Sequence, residues 1–151
     1  MKFVRFSIGG DAAYGVVDGD TVKEISNSPI GQDYSETGGT YDLNEVKILA
    51  PNPHPSKMLC LALNYGSHLL GADRPTRPQP FYKNTNAIIG PGDPIKLPAD
   101  AGLVVCESEL IAIIGKEASK VSEAEALDYV FGYTAGNDVS AREWQSGANS
   151  D

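Results

Sequence analysis

Two glutamates interrupt a long apolar run in this chain, and that interruption is the strongest constraint on how the segment can fold. The run extends from Val104 to Ile114, and its acidic residues are Glu107 and Glu109. Side chains of a β-strand alternate between its faces, so a strand here places both carboxylates on one face, with backbones roughly 6.5–7 Å apart. Buried carboxylates must be protonated, paired or bound to a cation. The pattern indicates either a metal-binding strand or a strand with one solvated face.

The composition is that of an ordinary globular protein. The chain has 151 residues, of which 41% are hydrophobic and 21% are charged. This length suffices for one domain with a core, or for one small domain and part of another. A formal net charge of −8 argues against nucleic acid and anionic membranes as partners. No apolar stretch approaches membrane-spanning length and the N-terminus lacks a signal-peptide layout, so we expect a cytoplasmic location.

Both cysteines lie in apolar runs. They are Cys60 and Cys106, and buried free thiols in a reducing cytoplasm are the favoured interpretation. A disulfide between them is the less favoured alternative, because such bonds are rare in the cytosol.

The first fifty residues predict a small β-rich module. An alternating segment at 3–8 reads as a strand, and Asp18-Gly19-Asp20 indicates a hairpin between strands at 13–17 and 21–25. Residues 26–45 are polar and predict a surface loop or a weak helix. The repeated prolines of 51–55 then mark a boundary. The predicted domains are therefore 1–50 and 51–151.

The second part predicts further strands and at least one helix. The apolar run at 58–63 is typical of a buried strand, and shorter strands are expected at 81–83, 87–89 and 95–97. The Ser122-Glu123-Ala124-Glu125 sequence is a capping box, which predicts a helix that Gly132 ends. A second helix is expected to begin at Ser140.

Four motifs in fixed order carry a resemblance to a known family. They are Asn64-Tyr65 with His68 three residues on, Phe81-Tyr82-Lys83 before Ile89-Gly90-Pro91-Gly92-Asp93, Glu107-x-Glu109-Leu110, and Asn137-Asp138-Val139-Ser140-Ala141-Arg142. Together they resemble the fumarylacetoacetate hydrolase family, in its branch of acylpyruvate hydrolases, oxaloacetate decarboxylases and isomerases. The resemblance implies an α+β, mostly β fold: a β-roll of that family preceded by the small N-terminal β module. The chain is expected to cover the N-terminal part of the family domain.

The resemblance also implies a metal site. Glu107, Glu109 and Asp138 match the family residues that bind one Mg²⁺ or Mn²⁺. Three carboxylates on one hard ion leave positions for water and a chelating 2-oxo acid, whose enolate the ion stabilises. From the residues alone, Asp138 has a second interpretation as a helix N-cap ahead of Ser140.

Further positions match the substrate side of the family site. His68 corresponds to a histidine that handles protons, and Lys83, Arg142 and Gln145 correspond to substrate-binding positions. The family histidine works with a glutamate three residues later, where this chain has Gly71. A histidine without that carboxylate is a weaker base, so the departure favours reactions that need no activated water.

The sequence therefore predicts a metal-dependent enzyme that acts on a small 2-oxo acid by decarboxylation, isomerisation or lyase-type chemistry. The first alternative is a hydrolase of acylpyruvates or related diketo acids. The second is a catalytically silent homologue that keeps the fold and the metal for a structural or partner-binding role. A homodimer is implied by the resemblance.

Overall fold

The computed structural model describes residues 1–69, 71 and 73–145, and it is mostly β. The chain divides into two compact units. The first comprises Met1–Glu24 and Thr40–Asp93, and the second comprises Ile25–Gly39 and the chain from Pro94 onward. The predicted boundary between residues 50 and 51 stays a prediction.

Five strands form the largest sheet, in the order β4-β3-β2-β1-β5. Strands β1 and β2 pair antiparallel with Phe6 opposite Ala13, and β1 also pairs antiparallel with β5. The Asp-Gly hairpin between β2 and β3 is confirmed, with Gly19 at φ +60°, a conformation that glycine adopts without steric cost. The strands are β1 Lys2–Ile8, β2 Asp11–Asp18, β3 Thr21–Ile25, β4 Glu36–Asp42 and β5 Lys47–Leu49.

Strand β4 occupies a segment for which a loop or a weak helix was expected, so that expectation is wrong. Its sequence, ETGGTYD, is polar and contains two glycines, and its strand propensity is weak. Pairing with β3 makes the segment a strand, because contacts with a neighbouring strand influence strand formation more strongly than the composition of the segment does.

The core of the first unit lies against this sheet. Phe6 and Val22 are 1% and 0% exposed, and Val46 packs with them. The Phe6 ring also contacts the Tyr41 ring at a centroid distance of 5.4 Å. A side chain larger than hydrogen at Gly15 would collide with Val22 and with the backbone of β3, so close packing requires glycine there.

Three two-stranded ladders complete the described strands. Strands β6 and β7 pair in the first unit, and the pairs β8–β11 and β9–β10 lie in the second. The strand expected at 58–63 is confirmed as β6, but its expected burial is wrong, because Leu59 and Leu61 are 54% and 48% exposed. Their bounds are β6 Met58–Ala62, β7 Gln79–Lys83, β8 Val104–Val105, β9 Ser108–Ile114, β10 Val130–Asn137 and β11 Ser140–Ala141.

The helical content is smaller than expected. The segment Glu123–Tyr129 is a 3₁₀ helix rather than an α-helix, and β10 begins directly after it. The Ser122 hydroxyl donates to the Glu125 carboxylate at 2.6 Å and makes no capping bond to the backbone. Residues 140–141 form a strand, and the one α-helix of the described residues, α1, spans Arg142–Gln145.

Two other expectations are corrected. The segments 87–89 and 95–97 contain no strand residues. Neither Cys60 nor Cys106 forms a disulfide in the described part of the chain, as predicted, but Cys106 is exposed and Cys60 is only partly buried. None of the helices in the described part of the chain has the length and apolar character that a membrane crossing requires.

Candidate functional site

The glutamate-bearing segment folds as two strands, whereas one continuous strand was expected. Strand β8 ends at Val105 and β9 begins at Ser108, with Cys106 and Glu107 between them. The partners change at the same point, because β8 pairs with β11 and β9 pairs with β10. We call residues 106–109 and 136–139 the acidic corner, since two ladders meet there and all three predicted metal ligands lie within it.

A backbone hydrogen bond joins Glu107 and Asp138 across the acidic corner. The register of β9 and β10 places Asn137 opposite Ser108. The Asp138 N–H continues this ladder by donating to the Glu107 carbonyl oxygen at 2.9 Å. Glu109 lies opposite Gly136, which contributes no side chain of its own.

Burial follows the alternation predicted for the two glutamates. Glu107 and Glu109 are partly buried, whereas their neighbours Cys106, Ser108 and Leu110 are exposed. The Glu107 side chain is 15% exposed. Because a half-buried carboxylate has lost part of its hydration, it needs a countercharge.

Arg142 supplies a countercharge to Glu107. One guanidinium nitrogen of Arg142 donates to Glu107 Oε1, and another donates to Gln145 Oε1 at 2.7 Å. The Arg142 N–H donates to the Leu103 carbonyl at 2.9 Å, so the start of α1 is tied to the chain before β8. The structure therefore brings Arg142 and Gln145, two predicted substrate-binding residues, together with a predicted metal ligand.

Asp138 presents a buried oxygen at the same corner. Its Oδ1 atom is shielded from solvent and accepts no hydrogen bond, while the residue takes part in other interactions. A shielded carboxylate oxygen suits a cation ligand. Among residues 1–69, 71 and 73–145, no group of three or more histidine, cysteine, aspartate or glutamate side chains is gathered closely enough to hold a metal ion. The three-carboxylate site stays a prediction.

An open pocket of about 400 Å³ lies beside the acidic corner in the second unit. Its lining residues are Leu103, Arg142, Glu143 and Gln145. The Glu143 carboxylate accepts a hydrogen bond from the Leu103 N–H at 3.3 Å and lies against Gly102. The pocket lining thus combines one cation, one carboxylate, one amide and one apolar side chain.

His68 and Lys83 belong to the first unit. His68 lies in a 3₁₀ turn that spans Gly66–Leu69, and its ring lies 6.1 Å from the Tyr65 ring between centroids. Lys83 ends β7 opposite Met58 of β6. Their roles in substrate chemistry stay predictions.

Gly71 has a backbone conformation that L-residues rarely adopt, with φ +90°. In the part of the chain that the structure describes, apart from the residues next to it in sequence, no atom lies within 4 Å of the position that a Cβ would take. The backbone conformation, rather than a clash at Cβ, therefore disfavours a glutamate here.

Asn137 is a residue that the sequence motif contained but that received no role. Its side-chain Oδ1 accepts a hydrogen bond from the Glu107 N–H at 3.0 Å. This bond satisfies the Glu107 N–H at the break between β8 and β9, where neither strand ladder provides an acceptor for that N–H. It thereby holds the Glu107 backbone in place. A hydrogen bond between a side chain and a backbone group 30 positions away produces no periodic pattern in the sequence. The sequence signal for this role of Asn137 is therefore limited to its position directly before Asp138.

We expect Asn137→Ala to loosen the backbone at Glu107. Losing one hydrogen bond of this kind costs about 1 kcal/mol, which corresponds to roughly fivefold faster exchange of the Glu107 amide proton, measured by NMR. Asn27→Ala is the matched control, because that amide bonds to the Asp33 carbonyl in the same unit. Equal exchange rates at Glu107 in both variants would contradict a positioning role for Asn137.

Two family profiles match the chain. Residues 57–150 match the Fumarylacetoacetate (FAA) hydrolase C-terminal family, and residues 1–51 match the Rv2993c-like, N-terminal family. The first match covers more than half of the chain and includes every motif described above.

Individual relatives extend the comparison. The chain is 40% identical over 108 residues to Oxaloacetate tautomerase fahd2, mitochondrial, of Xenopus laevis, covering 70% of this chain and 34% of the relative. The crystal structure of 5-carboxymethyl-2-hydroxymuconate delta-isomerase from Mycobacterium smegmatis matches 99% of this chain and 59% of its own, with TM-score 0.86 and 38% identity. Maleylpyruvate hydrolase from Sphingobium sp. SYK-6, in complex with manganese (II) ion and pyruvate, matches 92% of this chain and 58% of its own, with TM-score 0.71 and 29% identity.

The shared length is partial, since the chain spans about half the length, or less, of the curated relatives that it matches. The high structural similarity to the isomerase agrees with the predicted mostly β fold. Motif order, fold and family profile agree, and the chain belongs to the fumarylacetoacetate hydrolase family.

Proposed function

We propose that this chain carries the metal-binding part of an enzyme that isomerises or tautomerises a small 2-oxo acid. The observation that carries the proposal is the acidic corner, where the Asp138 N–H donates to the Glu107 carbonyl oxygen and both residues have carboxylate groups that are largely shielded from solvent. The relatives support the reaction class, because one is named an oxaloacetate tautomerase and another a delta-isomerase. Gly71 supports it as well, since shifting a proton requires no activated water.

The proposed metal ligands are Glu107, Glu109 and Asp138, and the ion is Mg²⁺ or Mn²⁺. The donor set fits such an ion, because carboxylate oxygens are the preferred ligands of hard divalent cations. The buried Oδ1 of Asp138 and the half-buried side chain of Glu107 favour this use over that of solvated surface charge. Manganese in the related maleylpyruvate hydrolase structure supports it further. When bound, the ion supplies Lewis-acid polarisation of a carbonyl group.

The other residues have proposed roles in binding and proton transfer. Arg142 and Gln145 line the open pocket and are suited to bind a substrate carboxylate through charge-assisted and amide hydrogen bonds. Lys83 is proposed as a second carboxylate-binding cation. His68 is proposed to move a proton to or from the carbon next to the 2-oxo group.

The test is an assay with oxaloacetate, the substrate that one relative's name states. We expect the enol form to convert to the keto form faster when protein and Mg²⁺ are both present. The loss of enol absorbance measures this conversion. Excess EDTA should return the rate to its uncatalysed value. Absence of any Mg²⁺-dependent acceleration would refute the proposal, whereas CO₂ release matching oxaloacetate loss would assign decarboxylation instead.

Hydrolysis is the second candidate, because the maleylpyruvate hydrolase structure is similar over 92% of this chain. Hydrolysis of an acylpyruvate yields two carboxylates, which chromatography separates from isomerisation products. Since His68 lacks the glutamate at position 71, we expect hydrolysis to be the slower activity.

A homodimer and a cytoplasmic location are also part of the proposal. Two cysteines that form no disulfide in the described residues support a reducing compartment, where thiols stay reduced.

A further inference from the structure

The ladder between β8 and β11 continues for one position beyond both strands. Its register pairs Ala141 with Val104, so the next pair in order is Arg142 with Leu103. The Arg142 N–H donates to the Leu103 carbonyl oxygen at 2.9 Å, as this register requires. The residues of a hydrogen-bonded antiparallel pair exchange both of their N–H···O bonds. In an uninterrupted ladder, the return bond would therefore run from the Leu103 N–H to the Arg142 carbonyl oxygen.

A side chain accepts this return bond. The Leu103 N–H donates to Glu143 Oε1 at 3.3 Å, and Glu143 is the second residue of α1. The chain changes from strand to helix at Arg142, and the carbonyl groups of a helix point along its axis rather than across a ladder. The Glu143 carboxylate thus takes the place of a backbone acceptor at the point where the strand ends.

The close approach of Glu143 to the chain before β8 requires glycine at position 102. Gly102 has φ +62°, a conformation that glycine adopts without steric cost. A Cβ atom added there would collide with the Glu143 carboxylate. The segment therefore provides both a donor, at Leu103, and the space that the carboxylate needs to reach it.

The described part of α1 depends on such contacts, because it is only about one helical turn long. Helical segments of this length are marginal on their own and are stabilised by packing against the rest of the protein. Besides the two bonds at Leu103, the indole N–H of Trp144 donates to the Asp100 carbonyl oxygen at 3.2 Å. Side chains of two adjacent residues, Glu143 and Trp144, thus attach α1 to the segment 100–103.

On the basis of the function proposed above, we propose that Glu143 is a positioning residue for substrate binding. Its carboxylate holds the start of α1 against Leu103, and α1 carries Arg142 and Gln145, the residues proposed to bind the substrate carboxylate. Direct binding of a carboxylate substrate by Glu143 is disfavoured, because like charges repel each other. Glu143 therefore acts through the position of the two substrate-binding residues.

The position of α1 can be measured through Trp144. In ¹⁵N-labelled protein this residue gives the single indole N–H signal, because the chain has one tryptophan. We expect Glu143→Ala to move the signal towards its position in urea-unfolded protein and to raise its hydrogen-exchange rate roughly fivefold, the effect of losing one hydrogen bond. Glu143→Gln should resemble the wild type, since its amide oxygen still accepts from the Leu103 N–H. An unchanged signal in Glu143→Ala, or equal changes in both variants, would overturn the positioning role.

Glu125→Ala is the matched control. Glu125 is an exposed glutamate of the same unit, and its carboxylate accepts a hydrogen bond from the Ser122 hydroxyl at 2.6 Å. The substitution removes the same side chain and the same charge, but from a bond to Ser122 instead of a bond to the chain beside α1. We expect the Trp144 signal to stay at its wild-type position. A shift equal to that of Glu143→Ala would assign the effect to net charge and overturn the positioning role.

Steady-state kinetics with oxaloacetate connect the position of α1 to substrate binding. We expect Glu143→Ala to raise KM at least threefold while kcat changes less than twofold, the pattern of lost binding that is common to substrate and transition state. Glu143→Gln should return KM to within twofold of the wild-type value. An unchanged KM in Glu143→Ala would overturn the role of Glu143 in substrate binding. Absence of turnover by the wild type would overturn the proposed function, and the Trp144 signal would still decide whether Glu143 positions α1.

Discussion

Asp138→Asn is expected to lower the affinity for Mg²⁺ by at least 100-fold and to abolish Mg²⁺-dependent turnover of oxaloacetate. The reason is the position of the carboxylate, whose Oδ1 is buried opposite Glu107. An amide oxygen keeps the size of that group but loses its charge. Even residues that only support metal ligands change affinity by about 10–100-fold, so loss of a ligand's charge should exceed that range. Calorimetry with MgCl₂ measures the first effect and the enol assay measures the second.

Asp128→Asn is the control for this substitution. Asp128 is an exposed aspartate of the 3₁₀ helix in the same unit, and no metal role is proposed for it. We expect its Mg²⁺ affinity and turnover to equal those of the wild type. If Asp138→Asn retained tight Mg²⁺ binding with a normal fold, Asp138 would be a structural residue and the three-carboxylate site would be wrong.

Phe6→Ala is expected to reduce the free energy of unfolding by about 3–5 kcal/mol, the usual cost of removing a fully buried phenylalanine. Phe6 is 1% exposed and packs with Val22 and Val46 in the main core cluster. The loss is a large part of the 5–15 kcal/mol that stabilises a typical domain. Urea unfolding monitored by circular dichroism measures this loss as a lower urea concentration at the midpoint, with an unchanged dependence of the unfolding free energy on urea concentration.

Phe81→Ala provides the comparison, because the same side chain is removed from a site that is 41% exposed. We expect a loss below about 1.5 kcal/mol, since much of the Phe81 ring already contacts water in the folded state. Similar losses of unfolding free energy for both variants would contradict the expectation that the burial of Phe6 makes it more important for stability than Phe81.

The sequence predicts which residues form the candidate site, and this stays a prediction, whereas it did not predict the contacts between them. Alternation along a strand placed Glu107 and Glu109 on one face, and their burial follows that pattern. The pairing of Asp138 with Glu107 depends on the register of β9 and β10, which no local pattern specifies. The bonds that Asn137 and Arg142 make to Glu107 depend on the same register and were therefore missed.

The fold was predictable from the sequence where residues typical of a tight turn mark a hairpin. The Asp-Gly sequence before β3 marked a hairpin that the structure contains. The capping box at Ser122 misled, because its serine and Glu125 bond to each other and the following turn is 3₁₀. Strand β4 was missed because its polar sequence becomes a strand only beside β3.

Gly71 shows what a motif comparison leaves out. The sequence reports a missing glutamate, whereas the structure adds that the backbone there has φ +90°. A glutamate in that conformation costs about 1–2 kcal/mol. The difference from the family pattern is therefore one of backbone shape as well as of side-chain chemistry.

The acidic corner joins residues that are far apart along the chain, since Glu107 and Asn137 are 30 positions apart. Closing a loop of this length has an entropic cost that must be met before the long-range contacts stabilise it, and such contacts slow folding. An ion bound at the proposed site would therefore stabilise the finished ladder by mass action, and the midpoint of thermal unfolding would rise with the concentration of the ion.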